Sequence, residues 1–108
     1  MKAGENMTDE EKEKYRDGLI ATCKVYCHID YDDDSEILEL MFDTTMEEMG
    51  ELIPNFDQYN LTNRQKLLAF TSVKELYDNR DKYDSDTKKL ASAVSSMLLK
   101  EIYGGQTR

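Results

Sequence analysis

The stretch DSEILELMFDTTMEEMGELI, residues 34–53, decides the fold class. Its apolar and small side chains recur every three or four residues, the spacing that places them on one face of an α-helix. Asp34 or Ser35 is the predicted N-cap, and Glu36 lies in the first turn, where the helix dipole favours negative charge. Pro54 ends the helix by residue 53. The predicted core-facing stripe consists of Ile37, Leu40, Met41, Thr44, Thr45, Met49, Leu52 and Ile53.

Two more helices are predicted after this one. Thr62 and Gln65 have the spacing of a capping box and open the third helix. Its wide apolar face predicts that it is the central helix of the fold. That face consists of Leu67, Leu68, Phe70, Thr71, Val73, Leu76 and Tyr77. The segment between, residues 54–61, is a predicted loop whose Phe56, Tyr59 and Leu61 fold back onto the core.

The last helix is expected to begin at a cap on Ser85 or Asp86, with Gly104 at the C′ position after its end. Its stripe consists of Leu90, Ala93, Val94, Met97, Leu98, Glu101 and Ile102.

A first helix precedes residues 34–53. Thr8 and Glu11 form a predicted capping box, and Leu19, Cys23 and Tyr26 follow at helical spacing. Gly18 is expected to divide this helix into two pieces, and residues 1–7 are expected to fray. Since no segment alternates with period two for long enough to form a strand, the sequence predicts an all-α fold, a small bundle of four to five helices.

The chain has 108 residues and a net charge of −9, enough length for one domain and too little for two. An acidic surface repels phosphate, which argues against sequence-independent nucleic-acid binding and against binding to anionic membranes. Such a surface would let DNA pass without sticking. Neither a signal peptide nor a transmembrane run is apparent, so an intracellular protein with reduced thiols is expected.

Cys23 and Cys27 are the only cysteines, and their spacing puts both sulfurs on one helix face. With His28 they supply three soft ligands, and zinc would need a fourth from a carboxylate or a second chain. Two small buried side chains are the favoured interpretation, and no metal site is predicted.

Asp30, Asp32, Asp33 and Asp34 form a dense acidic run before Glu36. An EF-hand loop needs glycine at position 6 and glutamate at position 12, and neither register of the run provides them. Calcium remains an alternative, but a solvated junction that caps the following helix is favoured. No catalytic constellation and no phosphate-binding loop is apparent, so neither an enzyme nor a cofactor is predicted. His28 is interpreted as structural, since a lone histidine beside an apolar face is more often structural than a general base.

Three motifs carry a family resemblance. CKVYCHIDYDDDSEILELM, residues 23–41, resembles the opening of the phage head–tail connector (adaptor) family, also described as DNA-packaging proteins. In that family a short helix leads through an Arg/His-Ile-Asp turn and an acidic run into a long helix. QKLLAFTSVKELYDNRDKY resembles its third element, and VSSMLLKEIYGG is similar to its last helix. The resemblance covers about residues 20–105 and implies two parts, a charged, partly helical extension (1–18) and a connector-like helical domain (19–105).

The resemblance implies a structural protein of the virion, present in the host cytoplasm during assembly. Such proteins form a ring under the portal, extend the DNA channel and carry the stopper and tail. The implied partners are therefore the portal protein, the head–tail stopper protein and further copies of the chain, with DNA passing through unbound and no membrane involved.

Interface candidates come from two places. Tyr77, Asn79 and Arg80 belong to the family's Leu-Tyr-x-Asn-Arg signature and are assigned to helix-end or subunit packing, although Arg80 pairing with a neighbouring aspartate in solvent is an equal alternative. Lys100 and Tyr103 occupy the end of the last helix, where many family members carry Gln-Leu-Arg. A competing hypothesis is a small acidic binding or regulatory protein that mimics DNA or occupies a basic partner.

Overall fold

The computed structural model describes residues 6–29, 35–79 and 87–103, including, within the last segment, the side chains of 88–100. These residues form four α-helices: α1 (Asp9–Tyr26), α2 (Ser35–Leu52), α3 (Asn63–Asp78) and α4 (Thr87–Tyr103). No strand occurs in those three segments, so the predicted all-α bundle of four to five helices is confirmed. None of the described helices is both long enough and apolar enough to cross a bilayer.

Helix α1 starts as the sequence predicts. Thr8 accepts a hydrogen bond from the Glu11 backbone N–H (3.1 Å), and the Glu11 carboxylate accepts one from the Thr8 N–H (2.9 Å). The expected break at Gly18 was wrong, because α1 continues through this residue to Tyr26. The helix therefore crosses the boundary predicted after residue 18, and the division into extension and domain stays a prediction.

The end of α1 is a Schellman motif. The His28 N–H donates to Val25 O (3.1 Å), and the Ile29 N–H donates to Lys24 O (3.0 Å). This geometry needs a left-handed residue at C′, and His28 takes that position with φ of 60°. The turn satisfies the last carbonyls of α1 without a glycine and sends the chain towards α2.

Helix α2 is the central helix, since it makes the most extensive contacts with α3 and α4. The prediction that α3 is central was therefore wrong. The buried face of α2 includes Met41, Thr44, Thr45 and Met49, as predicted, but it extends to Leu38, Phe42 and Met46, which the predicted stripe omitted. Ile37, Leu40, Leu52 and Ile53 lie at its margin, partly buried. The helix ends before Pro54 as expected, whereas a cap at Asp34 falls outside the described residues.

Helix α3 opens with the predicted capping box of Thr62 and Gln65. Its buried face is rotated from the predicted one, because Leu67 (59% exposed) and Thr71 face solvent. Phe70, Val73, Leu76 and Tyr77 are buried as predicted, and two small residues that the predicted face omitted, Ala69 and Ser72, are buried with them. Small side chains let helices approach closely, and a stripe drawn through large apolar residues does not include them.

Helix α4 buries Leu90, Val94 and Leu98 completely, with Ala93 and Met97 at the margin of the core. This part of the predicted stripe is confirmed. The side chains of Glu101 and Ile102, the cap at Ser85 or Asp86, and Gly104 lie outside what the structure describes.

The loop between α2 and α3 folds onto the bundle. Phe56 and Leu61 are buried, as predicted, and Tyr59 is half-buried with the Lys12 ammonium 5.4 Å from its ring centroid. The Leu61 N–H donates to the Tyr15 hydroxyl oxygen (2.9 Å). Further along, the rings of Tyr26 and Phe70 lie 6.1 Å apart. Helix α1 therefore lies beside the loop and α3, and its chain direction is the same as that of α3.

Candidate functional site

The predicted interface residues lie in different environments. Tyr77 is buried in the core, so its side chain packs within the chain. Asn79 caps α3, and its Nδ2 donates to Glu75 O (2.8 Å). Arg80 and the side chain of Tyr103 lie outside the described part of the structure. Lys100, in the last turn of α4, is exposed and available to a partner.

The two cysteines form a buried thiol pair on the last turn of α1. Both are free thiols, as the sequence predicts. A hydrogen bond between the thiols, together with burial, raises the pKa of Cys23. The same bond, assisted by the Lys74 ammonium, lowers the pKa of Cys27. Because both side chains are buried in the core, they are interpreted as packing residues, and the raised pKa keeps Cys23 protonated.

His28 does not join this pair as a third ligand. Its side chain is exposed, and its backbone holds the left-handed position of the α1 turn. Within residues 6–29, 35–79 and 87–103, no group of three or more His, Cys, Asp or Glu side chains has an arrangement that would hold a metal ion. The acidic run at residues 30–34 lies outside these segments, so the capping and calcium alternatives for it both stay predictions.

A cluster around Arg16 joins α1 to α2. The Arg16 Nε and Nη2 donate to the two carboxylate oxygens of Asp43 (3.0 and 2.9 Å), and Nη2 also donates to Glu39 Oε1 (3.1 Å). The hydrogen bond to Asp43 is the main cause that raises the pKa of Arg16. A guanidinium held in a fork by one carboxylate has a fixed orientation. Arg16 therefore anchors the N-terminal half of α1 to the central helix.

The charged residues of α2 itself are all acidic. The segment 35–52 contains no lysine or arginine. The stripe called here the acidic α2 face consists of Glu36, Leu40, Asp43, Glu47 and Glu51, of which Asp43 is held by Arg16 of α1. The three glutamates are exposed, and Leu40 is partly buried among them.

The outer side of α4 has the opposite sign. Among residues 88–100 the only charged side chains are lysines. The stripe called here the basic α4 face consists of Lys89, Ser92, Ser96, Leu99 and Lys100, all exposed. Leu99 is one of three large apolar side chains that are exposed among the described residues, at 41%. Charge segregation between two helices is visible in the sequence, but only the buried faces of the helices show that both charged stripes point outward.

In the part of the chain that the structure describes, every buried side-chain nitrogen or oxygen has a hydrogen-bond partner. No unpaired buried group there points to an internal ligand site, so the charged outer faces are the candidate functional surfaces. Comparison with protein-family models, with curated proteins and with solved structures found no match.

Proposed function

We propose that this protein is a phage or prophage head–tail connector (adaptor) that forms a ring under the portal and acts in completing DNA packaging and assembling the virion. The proposal starts from the three motifs that resemble this family. The first motif spans the end of α1, the acidic run and the start of α2. The second lies mainly on α3 and the third on the C-terminal half of α4. Each motif thus belongs to a different part of one bundle.

One observation carries the proposal. In the family a short helix leads through an Arg/His-Ile-Asp turn into a long helix. Here α1 ends in a Schellman turn at His28 and Ile29 before α2, although the two helices are equally long, at 18 residues each. A non-glycine residue at φ of 60° is uncommon and costs stability, so its presence at the motif's own turn supports the resemblance.

The proposed activity depends on shape and charge. Copies placed side by side around a channel would use heterologous contacts, in which two different surfaces of the chain meet. A net charge of −9 gives a channel built from such copies a wall that repels phosphate, so DNA would pass without binding.

An acidic binding module is the second candidate. The acidic α2 face favours it, because carboxylates at three- and four-residue spacing along a helix present a row of negative charge to a basic partner. Such a regulator would bind a basic protein and be displaced from it by a polyanion such as heparin.

Binding to the portal protein of the same phage or prophage separates the two functions. The purified chain is mixed with assembled portal rings and the mixture is sedimented. A connector co-sediments with the rings and saturates at a fixed ratio in moderate salt, whereas a regulator stays in the supernatant. Absence of binding to intact portal rings would reject the connector function.

A further inference from the structure

Helix α1 takes a smaller part in the common core than the other three helices. Among the described residues, the largest completely buried side chains lie on α2, α3 and α4, with Cys23 as the one member of that set on α1. The stabilisation from burial follows the apolar area removed from water, so the core of α2, α3 and α4 depends little on α1. Its members are Leu38, Met41, Phe42, Thr45, Met49, Val73, Leu76, Leu90, Val94 and Leu98.

Much of what holds α1 in place is polar and lies near the surface. The Lys24 Nζ donates to Ser35 Oγ (2.9 Å), and the Tyr15 hydroxyl accepts from the Leu61 N–H (2.9 Å). The fork of Arg16 onto α2 is the third such contact. Part-exposed polar contacts contribute less than buried apolar ones, and salt weakens those between charges. The attachment of α1 is therefore weaker than the packing among the other helices.

The two cysteines lie on the side of α1 that faces the core. Cys23 is completely buried and Cys27 nearly so. They are four residues apart, so both sulfurs lie on one face of the helix. A reagent in solution reaches neither thiol while α1 is docked, but it reaches both once the helix leaves the bundle. The reactivity of the thiols therefore reports the position of α1.

We propose that α1 undocks as a unit while α2, α3 and α4 stay folded, and that Cys23 and Cys27 form a thiol site open to electrophiles only in that state. Proteins open in contiguous units whose opening free energies range up to that of global unfolding, and a weakly attached helix opens at the low end. Undocking would also uncover Phe70, whose ring lies 6.1 Å from that of Tyr26. This opening is a property of the chain alone and goes beyond the connector function.

Labelling with N-ethylmaleimide tests the opening in the full-length chain. The thiolate adds to the maleimide C=C bond, the thiol proton goes to water, and the adjacent carbon takes a proton from water. Each adduct therefore adds the mass of one reagent, which intact mass spectrometry counts. Where α1 closes faster than it is labelled, the labelling rate is proportional to the population of the open state.

The urea dependence separates undocking from global unfolding. The effect of urea scales with the surface that an opening exposes. Undocking exposes one helix and the surface beneath it, so the logarithm of the labelling rate should rise with urea on a slope well below that of global unfolding. Both slopes are measured on the unmodified chain.

The number of adducts separates undocking from fraying of the last turn. An adduct on Cys23 is too large for a packed site and prevents α1 from docking again, so the second thiol reacts soon after the first. Chains with no adduct and with two adducts should therefore dominate at every time point. If only the last turn frays, Cys27 reacts alone and chains with one adduct accumulate.

Arg16→Ala removes the main polar contact and should speed labelling by about tenfold, the factor that corresponds to 1.4 kcal/mol. Lys14→Ala, an exposed change on the same helix, is the matched control and should label like the unmodified chain. At 1 M salt, where the Debye length is about 3 Å, the unmodified chain should approach the rate of the Arg16→Ala variant. Circular dichroism checks that both variants keep their helix content.

The proposal is overturned if labelling follows the urea slope of global unfolding, if chains with one adduct accumulate, or if Arg16→Ala labels no faster than Lys14→Ala. No portal protein takes part in the measurement. A negative result therefore rejects the undocking of α1 and leaves the connector function to its own test.

Discussion

Replacing Arg16 by alanine should loosen α1 from the bundle by a measurable amount. The side chain is 31% exposed, and its partners Glu39 and Asp43 are 45% and 48% exposed. Fully exposed ion pairs contribute about 0.2–1 kcal/mol, and hydrogen bonds to charged groups in less exposed sites about 1.5–3 kcal/mol. The half-exposed, forked pair with Asp43 belongs between these ranges, at about 1 kcal/mol. The weaker contact with Glu39 and the buried stem of Arg16 bring the total to about 1–2 kcal/mol.

A double-mutant cycle of Arg16→Ala and Asp43→Ala, followed by urea unfolding, isolates the pair. A coupling free energy of about 1 kcal/mol is expected in low salt, and it should fall at 1 M salt, where the Debye length is about 3 Å. Lys14→Ala, an exposed change on the same helix, should alter the free energy of unfolding by less than about 0.5 kcal/mol. Zero coupling between Arg16 and Asp43, or an equal loss in Lys14→Ala, would refute the assignment of Arg16 as the anchor.

Three further predictions concern the turn, the core and the first cap. His28→Gly should raise the free energy of unfolding by about 0.5–1 kcal/mol, because glycine relieves the strain of the left-handed position; a loss on chemical denaturation would contradict the Schellman geometry. Leu38→Ala should cost about 2–5 kcal/mol, whereas the same change at the exposed Leu67 should cost under about 0.5 kcal/mol; equal losses would contradict the observed faces. Hydrogen bonds from Thr8 lower the pKa of Glu11 below 4.5, so its contribution is complete above pH 4.5 and is lost as the pH falls through the folded-state pKa. Glu11→Gln should keep the capping box and remove this pH dependence, so the difference in the free energy of unfolding between the two chains should change as the pH falls. A difference that stays constant through an acid titration would contradict the role of the Glu11 carboxylate.

The helix boundaries were largely predictable because they depend on neighbouring residues. Both capping boxes, at Thr8 and Thr62, have their partner three residues later in the sequence, and Pro54 cannot continue α2. The predicted break at Gly18 was wrong because a glycine inside a helix costs only about 1 kcal/mol. The packing of α1 before and after Gly18 outweighs that cost.

The buried faces were less predictable because burial depends on which helix lies opposite. Phe42 and Leu38 belong to the core of α2, although the predicted stripe passed beside them. On α3, Ser72 is buried and Leu67 is exposed, although leucine is the more hydrophobic of the two. Only the three-dimensional arrangement of α2, α3 and α4 determines which small residues lie between helices.

The candidate surfaces were predictable in part. Lys100 was chosen because many members of the resembled family carry Gln-Leu-Arg there; its side chain is exposed, and its interface role stays a prediction. Tyr77 was chosen from a family signature that does not distinguish a core residue from a surface one, and it is buried. The opposite charges of α2 and α4 can be read from the sequence. Which side of each helix faces solvent depends on the position of that helix in the bundle.

Electron microscopy of the chain mixed with portal rings of the same phage or prophage tests the proposed connector function most directly. The account predicts a collar of density under the portal ring, built from repeated copies of the helical bundle around an open channel. Portal rings that stay bare in the presence of saturating protein would contradict it.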